Sequence, residues 1–337
     1  MARIVVENRE NQPGKVRIEL GFPAASRFDE YRSFIHSAID DEPGTAPFEF
    51  EFTTRIVAHS VQSNLQPQAG VRNIIAIASG KGGVGKSTVA ANIALALAAD
   101  GASVGVLDAD IYGPSQPQML GIEGKRPQSD DGETMYPLEA HGLQVMSIGF
   151  LVDPDQPMIW RGPMVTSALQ QLLTQTAWKE LDYLIVDMPP GTGDIALTLS
   201  QRVPVSGAVI VTTPQNIATL DARKGLAMFR KVNVPVLGVV ENMSTHVCSE
   251  CGHEDPIFGT GGAEKMVADF GVRLLGQLPL DTAIREQTDS GSPTVVTAPG
   301  SSAAGAYINA AQRMAAALAT RERDYSSKFG KIVVEGQ

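Results

Sequence analysis

The sequence predicts an α/β protein: a mostly parallel sheet covered by helices on both faces, preceded by a small α+β N-terminal domain. Three observations predict it. From residue 73 onward, short apolar runs alternate with helical patterns, as strands joined by crossover helices do. A glycine-rich loop separates the first apolar run from the first helical pattern. Before residue 62 the chain reads differently, with period-two alternation on either side of one helical stretch.

In the N-terminal domain (1–61), Val16, Ile18 and Leu20 alternate, as do Phe48, Phe50 and Phe52 against Glu49 and Glu51. Both runs suit half-buried strands. Between them Phe28, Tyr31, Ile35 and Ile39 recur at helical spacing, after Ser26 as a candidate N-cap. The expectation is a β-α-β layer. Residues 62–72, with Pro67 and Gly70, read as a linker. The larger domain, 73–323, has expected strands at 74–78, 104–108, 143–148, 183–187, 208–212, 236–241 and 274–277. Its expected helices lie at 87–99, 164–178, 194–201, 217–232, 262–270 and 303–322, and 324–337 is left as a C-terminal tail. Ligands of such sheets bind beyond the carboxyl ends of the strands.

Composition narrows the function classes. The 337 residues are 43% hydrophobic and 19% charged, ordinary for a globular protein, and their net charge of −10 disfavours a nucleic-acid surface. The first residues lack the apolar stretch of a signal peptide, and no segment reaches the roughly 20 apolar residues that span a bilayer. The alanine-rich last helix lacks a basic face backed by large apolar residues. The expectation is a cytoplasmic protein with neither nucleic acid nor membrane as partner.

The loop itself is Gly80-Lys81-Gly82-Gly83-Val84-Gly85-Lys86-Ser87-Thr88. Glycine, four residues, then glycine, lysine and serine form a P-loop, whose backbone N–H groups point at phosphate oxygens. Lys86 suits the β- and γ-phosphates and Ser87 a Mg²⁺ ion. The strand before the loop and the helix after it set that phosphate at a helix N-terminus. Lys81 is a second lysine, placed to cross a dimer interface and neutralise phosphate charge on the other subunit, as an arginine finger does. Asp108-Ala109-Asp110 follows the second strand of this domain, and Asp187 ends the 183–187 strand before Met188-Pro189-Pro190-Gly191-Thr192-Gly193-Asp194. Asp187 is the candidate Mg²⁺-orienting carboxylate and Asp110 the candidate for positioning an attacking water. Taken alone, these aspartates could equally be helix caps or turn formers. Asn242 closes the 236–241 strand, where its amide could read an adenine edge or simply form a turn.

Cys248 and Cys251 are the two cysteines of the chain, in His246-Val247-Cys248-Ser249-Glu250-Cys251-Gly252-His253. Their C-x-x-C spacing suits Zn²⁺ or an iron–sulfur cluster, each of which takes four ligands. His246 and His253 could supply the other two, or a second chain could supply another cysteine pair. A redox disulfide pair and inert thiols are the competing readings.

With these motifs in place the chain resembles the Mrp/ApbC family of ATP-binding iron–sulfur cluster carriers, within the deviant-Walker-A (MinD/Mrp) P-loop NTPases. The resemblance spans 71–322. Beyond the loop it rests on Leu107-Asp108-Ala109-Asp110-Ile111-Tyr112-Gly113-Pro114-Ser115, Trp160-Arg161-Gly162-Pro163-Met164, Thr213-Pro214-Gln215 and Glu241-Asn242-Met243-Ser244, with the cysteine pair. It implies a homodimer that hydrolyses ATP slowly and carries a [4Fe–4S] cluster bridging two subunits through Cys248 and Cys251. The implied partners are apo iron–sulfur proteins and a cluster-assembly scaffold. It assigns Gly80, Lys81, Gly82, Gly83, Val84, Gly85, Lys86, Ser87 and Thr88 to ATP, with Thr88 at the α-phosphate and Asn242 at the adenine. Ser87 and Asp187 are assigned to Mg²⁺, and Lys81, Lys86 and Asp110 to catalysis. A MinD/ParA-like switch whose cysteines hold a structural zinc is the alternative. Residues 1–60 distantly resemble a MIP18-type domain but carry no cysteine near Gly21-Phe22-Pro23-Ala24-Ala25, which points to docking or scaffolding.

Overall fold

The computed structural model describes residues 3–7, 14–40, 48–151, 162–248 and 250–324. Trp160, Arg161, Ser249 and the tail beyond Asp324 lie outside the described residues.

Period-two burial builds the N-terminal layer. Strand β1 (Arg3–Glu7) pairs antiparallel with β2 (Gly14–Leu20), which pairs parallel with β3 (Phe48–Thr54) through the crossover helix α1 (Phe28–Asp40). Val16, Ile18 and Leu20 turn inward with Phe52, and Phe28, Tyr31 and Ile35 close over them. Strand β1 is not expected from the sequence, because its Ile4 and Val6 remain exposed and give no inward-facing pattern of burial. Ser26 sits in a 3-10 turn ahead of α1 and joins the two layers instead of capping the helix. Its N–H donates to Asp100 at 3.0 Å, and its hydroxyl accepts from Gln312 Nε2 at 3.2 Å.

The second sheet is built from β4 (Val71–Ser79), β5 (Val104–Asp108), β6 (Leu138–Ala140), β7 (Leu143–Ser147), β8 (Leu181–Asp187), β9 (Gly207–Thr212) and β10 (Val236–Glu241), while β11 (His246–Val247) and β12 (Glu254–Asp255) form a separate hairpin. With β13 (Leu274–Gln277) the order across the large sheet is β13-β10-β9-β4-β8-β5-β7-β6, parallel except for the β6–β7 pair. The helices are α2 (Lys86–Ala99), α3 (Gln116–Met119), α4 (Gly162–Thr174), α5 (Asp194–Arg202), α6 (Asn216–Lys231), α7 (Gly262–Phe270), α8 (Thr282–Asp289), α9 (Thr294–Thr297) and α10 (Ser302–Ala319).

Ile75, Ala76 and Ile77 of β4 are all fully buried, so this strand is apolar throughout instead of alternating. That is the mark of a strand covered on both faces. From β4 the chain moves outward across the sheet to β5 and β7. It then returns through β8 to β9, β10 and β13. Right-handed crossovers put α2 on one face and α4 to α7 on the other, and the reversal opens a crevice at the carboxyl ends of β4, β5 and β8. The short strands β6, β11 and β12 and helices α3 and α9 are not expected from the sequence because each is too brief to show a period, and α8 is not expected because Ile284 is its one large apolar residue. Among the described residues no helix is long and apolar enough to cross a membrane.

The segment between the layers is anchored by buried polar side chains. Gln62 Nε2 donates to the carbonyls of Ser200 and Val203, and its Oε1 accepts from the Val205 N–H. Asn73, in β4, accepts from both the backbone N–H and the Nδ1 of His59, and donates to the carbonyls of Val57 and Asp182. The imidazole is thereby held with its proton on Nδ1, and its buried Nε2 has no partner.

Burial, the largest influence, pushes the His59 pKa below its ordinary 6.5, and the Arg323 charge adds to this. The neutral ring is favoured in the folded state, so the unfolded chain takes up the proton first. Unfolding free energy should therefore fall as pH drops below about 6.5 and be insensitive to this group above it. Urea denaturation at pH 7.5 and 5.5 should show the loss, and His59→Phe should remove that part of it.

Candidate functional site

The turn after β4 is shaped by contacts that a side chain would break. A Cβ on Gly80 would lie 2.1 Å from the carbonyl carbon of Asp221 in α6. Gly85 has φ +78°, and a Cβ there would lie 2.3 Å from Asn242 Nδ2. Gly85 is also the residue from which α2 springs, so the free N–H groups of the helix open toward the crevice. A cavity of about 230 Å³ lies there, bordered by Lys81, Gly82, Gly83, Gly85, Lys86, Ser87, Thr88, Asp110, Ser115 and Pro190. Val84 is buried beneath it, with its carbonyl accepting from Asn242 Nδ2 at 2.9 Å. Asn242 thus braces the loop, whatever else its amide contacts.

The loop brings a buried cation among buried acids. Lys86 is 6% exposed, and its ammonium bonds the Asp187 carboxylate, lies 3.8 Å from Asp110 and 3.3 Å from Ser87 Oγ. Asp187 and Asp108 are fully buried side by side at the ends of paired strands. Asp108 accepts from the N–H of Asp110 at 3.2 Å, the N–H of Gln116 at 3.1 Å and Ser147 Oγ at 3.1 Å. Burial first and the Asp187 charge second raise the Asp108 carboxyl to about 7. Asp110 is also raised, chiefly by burial, with Lys86 opposing. Lys81 borders the cavity and has no carboxylate partner among the described residues.

Gln116 and Ser147 join this buried network, and the sequence does not announce them. Gln116 directly follows the Asp110-to-Ser115 stretch, but a glutamine at the start of a four-residue helix carries no spacing signal. Its Nε2 donates to the Ser87 carbonyl at 3.0 Å and to Asp187 Oδ2 at 2.9 Å. The buried Asp110 Oδ1, Ser115 Oγ and Gln116 Oε1 have no hydrogen-bond partner. Unpartnered oxygens beside a serine hydroxyl and a carboxylate are the donor set of a hard divalent cation with its waters, so these residues fit Mg²⁺ carried by a polyphosphate.

The cysteines lie on the hairpin that leaves the carboxyl end of β10. The Cys248 N–H donates to the His253 carbonyl and the Gly252 N–H to the Cys248 carbonyl, both at 2.9 Å, in a tight turn whose Gly252 has φ +69°. Cys248 is half-buried and Cys251 exposed. The backbone N–H of Cys251, then that of Glu250, lower the Cys248 thiol below its ordinary range. His246 turns its Nδ1 to the Leu280 carbonyl at 3.0 Å. Among the described residues no three His, Cys, Asp or Glu side chains converge to hold a metal, so His246 and His253 do not complete a site with the cysteines within one chain.

The profile of the ParA family, described as NUBPL iron-transfer P-loop NTPase, matches residues 70–315. An iron–sulfur cluster carrier protein of Pseudomonas fragi is 59% identical over 79% of this chain and 93% of its own length. One of Escherichia coli K12 is 53% identical over 90% of this chain and 82% of its own. Mouse iron–sulfur cluster transfer protein NUBPL is 53% identical over 74% and 78%. Among solved structures, a nucleotide-binding protein of Archaeoglobus fulgidus in complex with ADP has TM-score 0.59 at 38% identity, covering 66% of this chain and 87% of that one. The cell-division ATPase MinD of Pyrococcus furiosus has TM-score 0.54 at 25% identity, covering 72% and 98%.

Gly85→Ala should be costly, because the added methyl group meets both a left-handed backbone and the Asn242 amide. We expect it to weaken ADP binding about 5- to 150-fold in calorimetric titration, a strain of roughly 1–3 kcal/mol. Wild-type affinity in Gly85→Ala would show that the Asn242 brace does not shape the loop.

Proposed function

The chain belongs to the ParA family of NUBPL-type iron-transfer P-loop NTPases, and from that premise we propose that it is a homodimeric, slowly ATP-hydrolysing carrier that binds a [4Fe–4S] cluster between its subunits and passes it to apo-proteins. The observation that carries this reading is the incomplete thiol pair. Cys248 and Cys251 lie together at an accessible turn, and among the described residues nothing in the same chain completes a four-ligand set. Two copies meeting at this turn supply four thiolates, the number a four-iron cluster takes. The backbone donors around Cys248 favour the thiolate that such ligation needs.

In the nucleotide reaction, the N–H groups of 82–88 receive the phosphates, and Lys86 leaves its carboxylate partners for the β- and γ-phosphates. Thr88 borders the α-phosphate. Asn242 braces Val84 and faces the base. When bound at Ser87 and Asp187, Mg²⁺ neutralises phosphate charge. Asp110 orients the water that attacks the γ-phosphorus, the bond to the β-bridging oxygen breaks, and ADP and phosphate leave. Lys81 offers its charge to the nucleotide of the facing subunit, so hydrolysis requires the dimer. The cluster is cargo, and β10 links nucleotide chemistry to cluster carriage. Its end carries Asn242, which touches the loop, and six residues on comes Cys248. A change in the phosphate loop therefore reaches the thiols through one short connection.

Anaerobic reconstitution with iron and sulfide should yield about four iron and four sulfide per dimer. Cys248→Ala and Cys251→Ala should each lose the cluster and its visible absorbance while keeping ADP binding. Full cluster content in both variants, or zinc without iron or sulfide in anaerobically purified protein, would contradict the proposal.

A further inference from the structure

Gln116 is fully buried yet bonds three segments beside the cavity, at Asp108, Ser87 and Asp187. Its backbone N–H holds Asp108, and its side-chain amide joins the Ser87 carbonyl to the Asp187 carboxylate. These two acceptors use both amide protons and fix which way the group faces. Turned over, Oε1 would oppose a carbonyl and a carboxylate, acceptor against acceptor. Oε1 is therefore held as an acceptor, buried, with no protein donor to meet it. Leaving such an atom without a donor is unfavourable, because its hydration is lost and not replaced. Two more oxygens of the same loop, Asp110 Oδ1 and Ser115 Oγ, share that condition, and both residues border the cavity.

A hydrated divalent cation answers all three demands. Mg²⁺ retains several waters when it binds through one or two protein ligands, and those waters are strong donors. We infer that Gln116 is a positioning residue for the metal–nucleotide complex: its amide clamps Ser87 and Asp187 together as a ligand pair, and its Oε1 is the acceptor for a hydrogen bond from a water of the hydrated ion. This deepens the proposed nucleotide reading and rests on it. A glutamate at 116 would set a second carboxylate against Asp187 and remove both donors. A methionine of similar length would fill the space but strand the Ser87 carbonyl and Asp187 Oδ2.

The test uses the full chain, with Mn²⁺ as probe followed by electron paramagnetic resonance in saturating ADP, and ADP titration in EDTA as the metal-free control. Gln116→Met and Gln116→Glu should weaken Mn²⁺ binding to the ADP complex about 10- to 100-fold. Metal-free ADP affinity should stay within about 3-fold, and raising the metal concentration should restore turnover. Gln116→Asn keeps the amide but is one methylene too short to span both acceptors. It should act in the same direction and serves if the other variants fail to fold. Wild-type Mn²⁺ affinity in these variants overturns the inference. So does an equal loss of metal-free ADP affinity, which would make Gln116 a strut of the loop. A wild type that binds no ADP with or without metal defeats the nucleotide reading itself, and this inference with it.

Discussion

The site depends on one buried cation. Lys86 is drawn out of water by the start of α2 and set among Asp187, Asp110 and Asp108, two of which are fully buried. Burying carboxylates this close together is costly unless a positive charge lies among them. Asp108 shows what happens where that compensation is weaker: burial and the neighbouring Asp187 charge push its carboxyl up to about 7. Hydrogen bonds from Gln116 and Ser147 carry the rest. The same lysine is the group a nucleotide needs. In the proposed reaction an incoming phosphate would compete with Asp187 for it, and the carboxylate so released would be free to help hold the metal that accompanies the phosphate.

Around this cation the fold brings distant segments together. The β4 loop, the ends of β5 and β8 and the start of α3 are far apart in sequence, and the reversal of strand order sets them side by side. Strand β10, separated from β4 by β9, sends Asn242 under the loop and then continues into the cysteine turn. Phosphate chemistry and thiol chemistry thus share one edge of one sheet. In the proposed carrier the thiol pair would provide half of a cluster's ligands, which would make the association of two chains part of the site instead of an addition to it.

Much of this was legible in the sequence because it rests on rigid local rules. A strand covered on both faces must be apolar throughout, as in Ile74 to Ala78, and a loop whose backbone grips phosphate must contain glycines at fixed steps. The seven expected strands of the larger domain all appear, and the loop stands between a strand and a helix as its pattern requires. What escaped depends on tertiary position. Gln116 has meaning only because Ser87 and Asp187, 29 and 71 residues away, arrive beside it. Ser26 resembles a helix cap in sequence, but Asp100 and Gln312 claim it. Edge strand β1 buries nothing inward, so no alternation announces it.

The buried pairing of Lys86 with Asp187 is the claim most open to direct measurement. A double-mutant cycle in the nucleotide-free protein, Lys86→Met with Asp187→Asn, read by urea denaturation, isolates it. Lys86→Met alone should cost roughly 3–5 kcal/mol, since it strands a buried carboxylate. Adding Asp187→Asn should recover at least about 2 kcal/mol of that loss. If the two effects simply add, within about 0.5 kcal/mol, the lysine is not what holds these acids in place, and the account built on it fails.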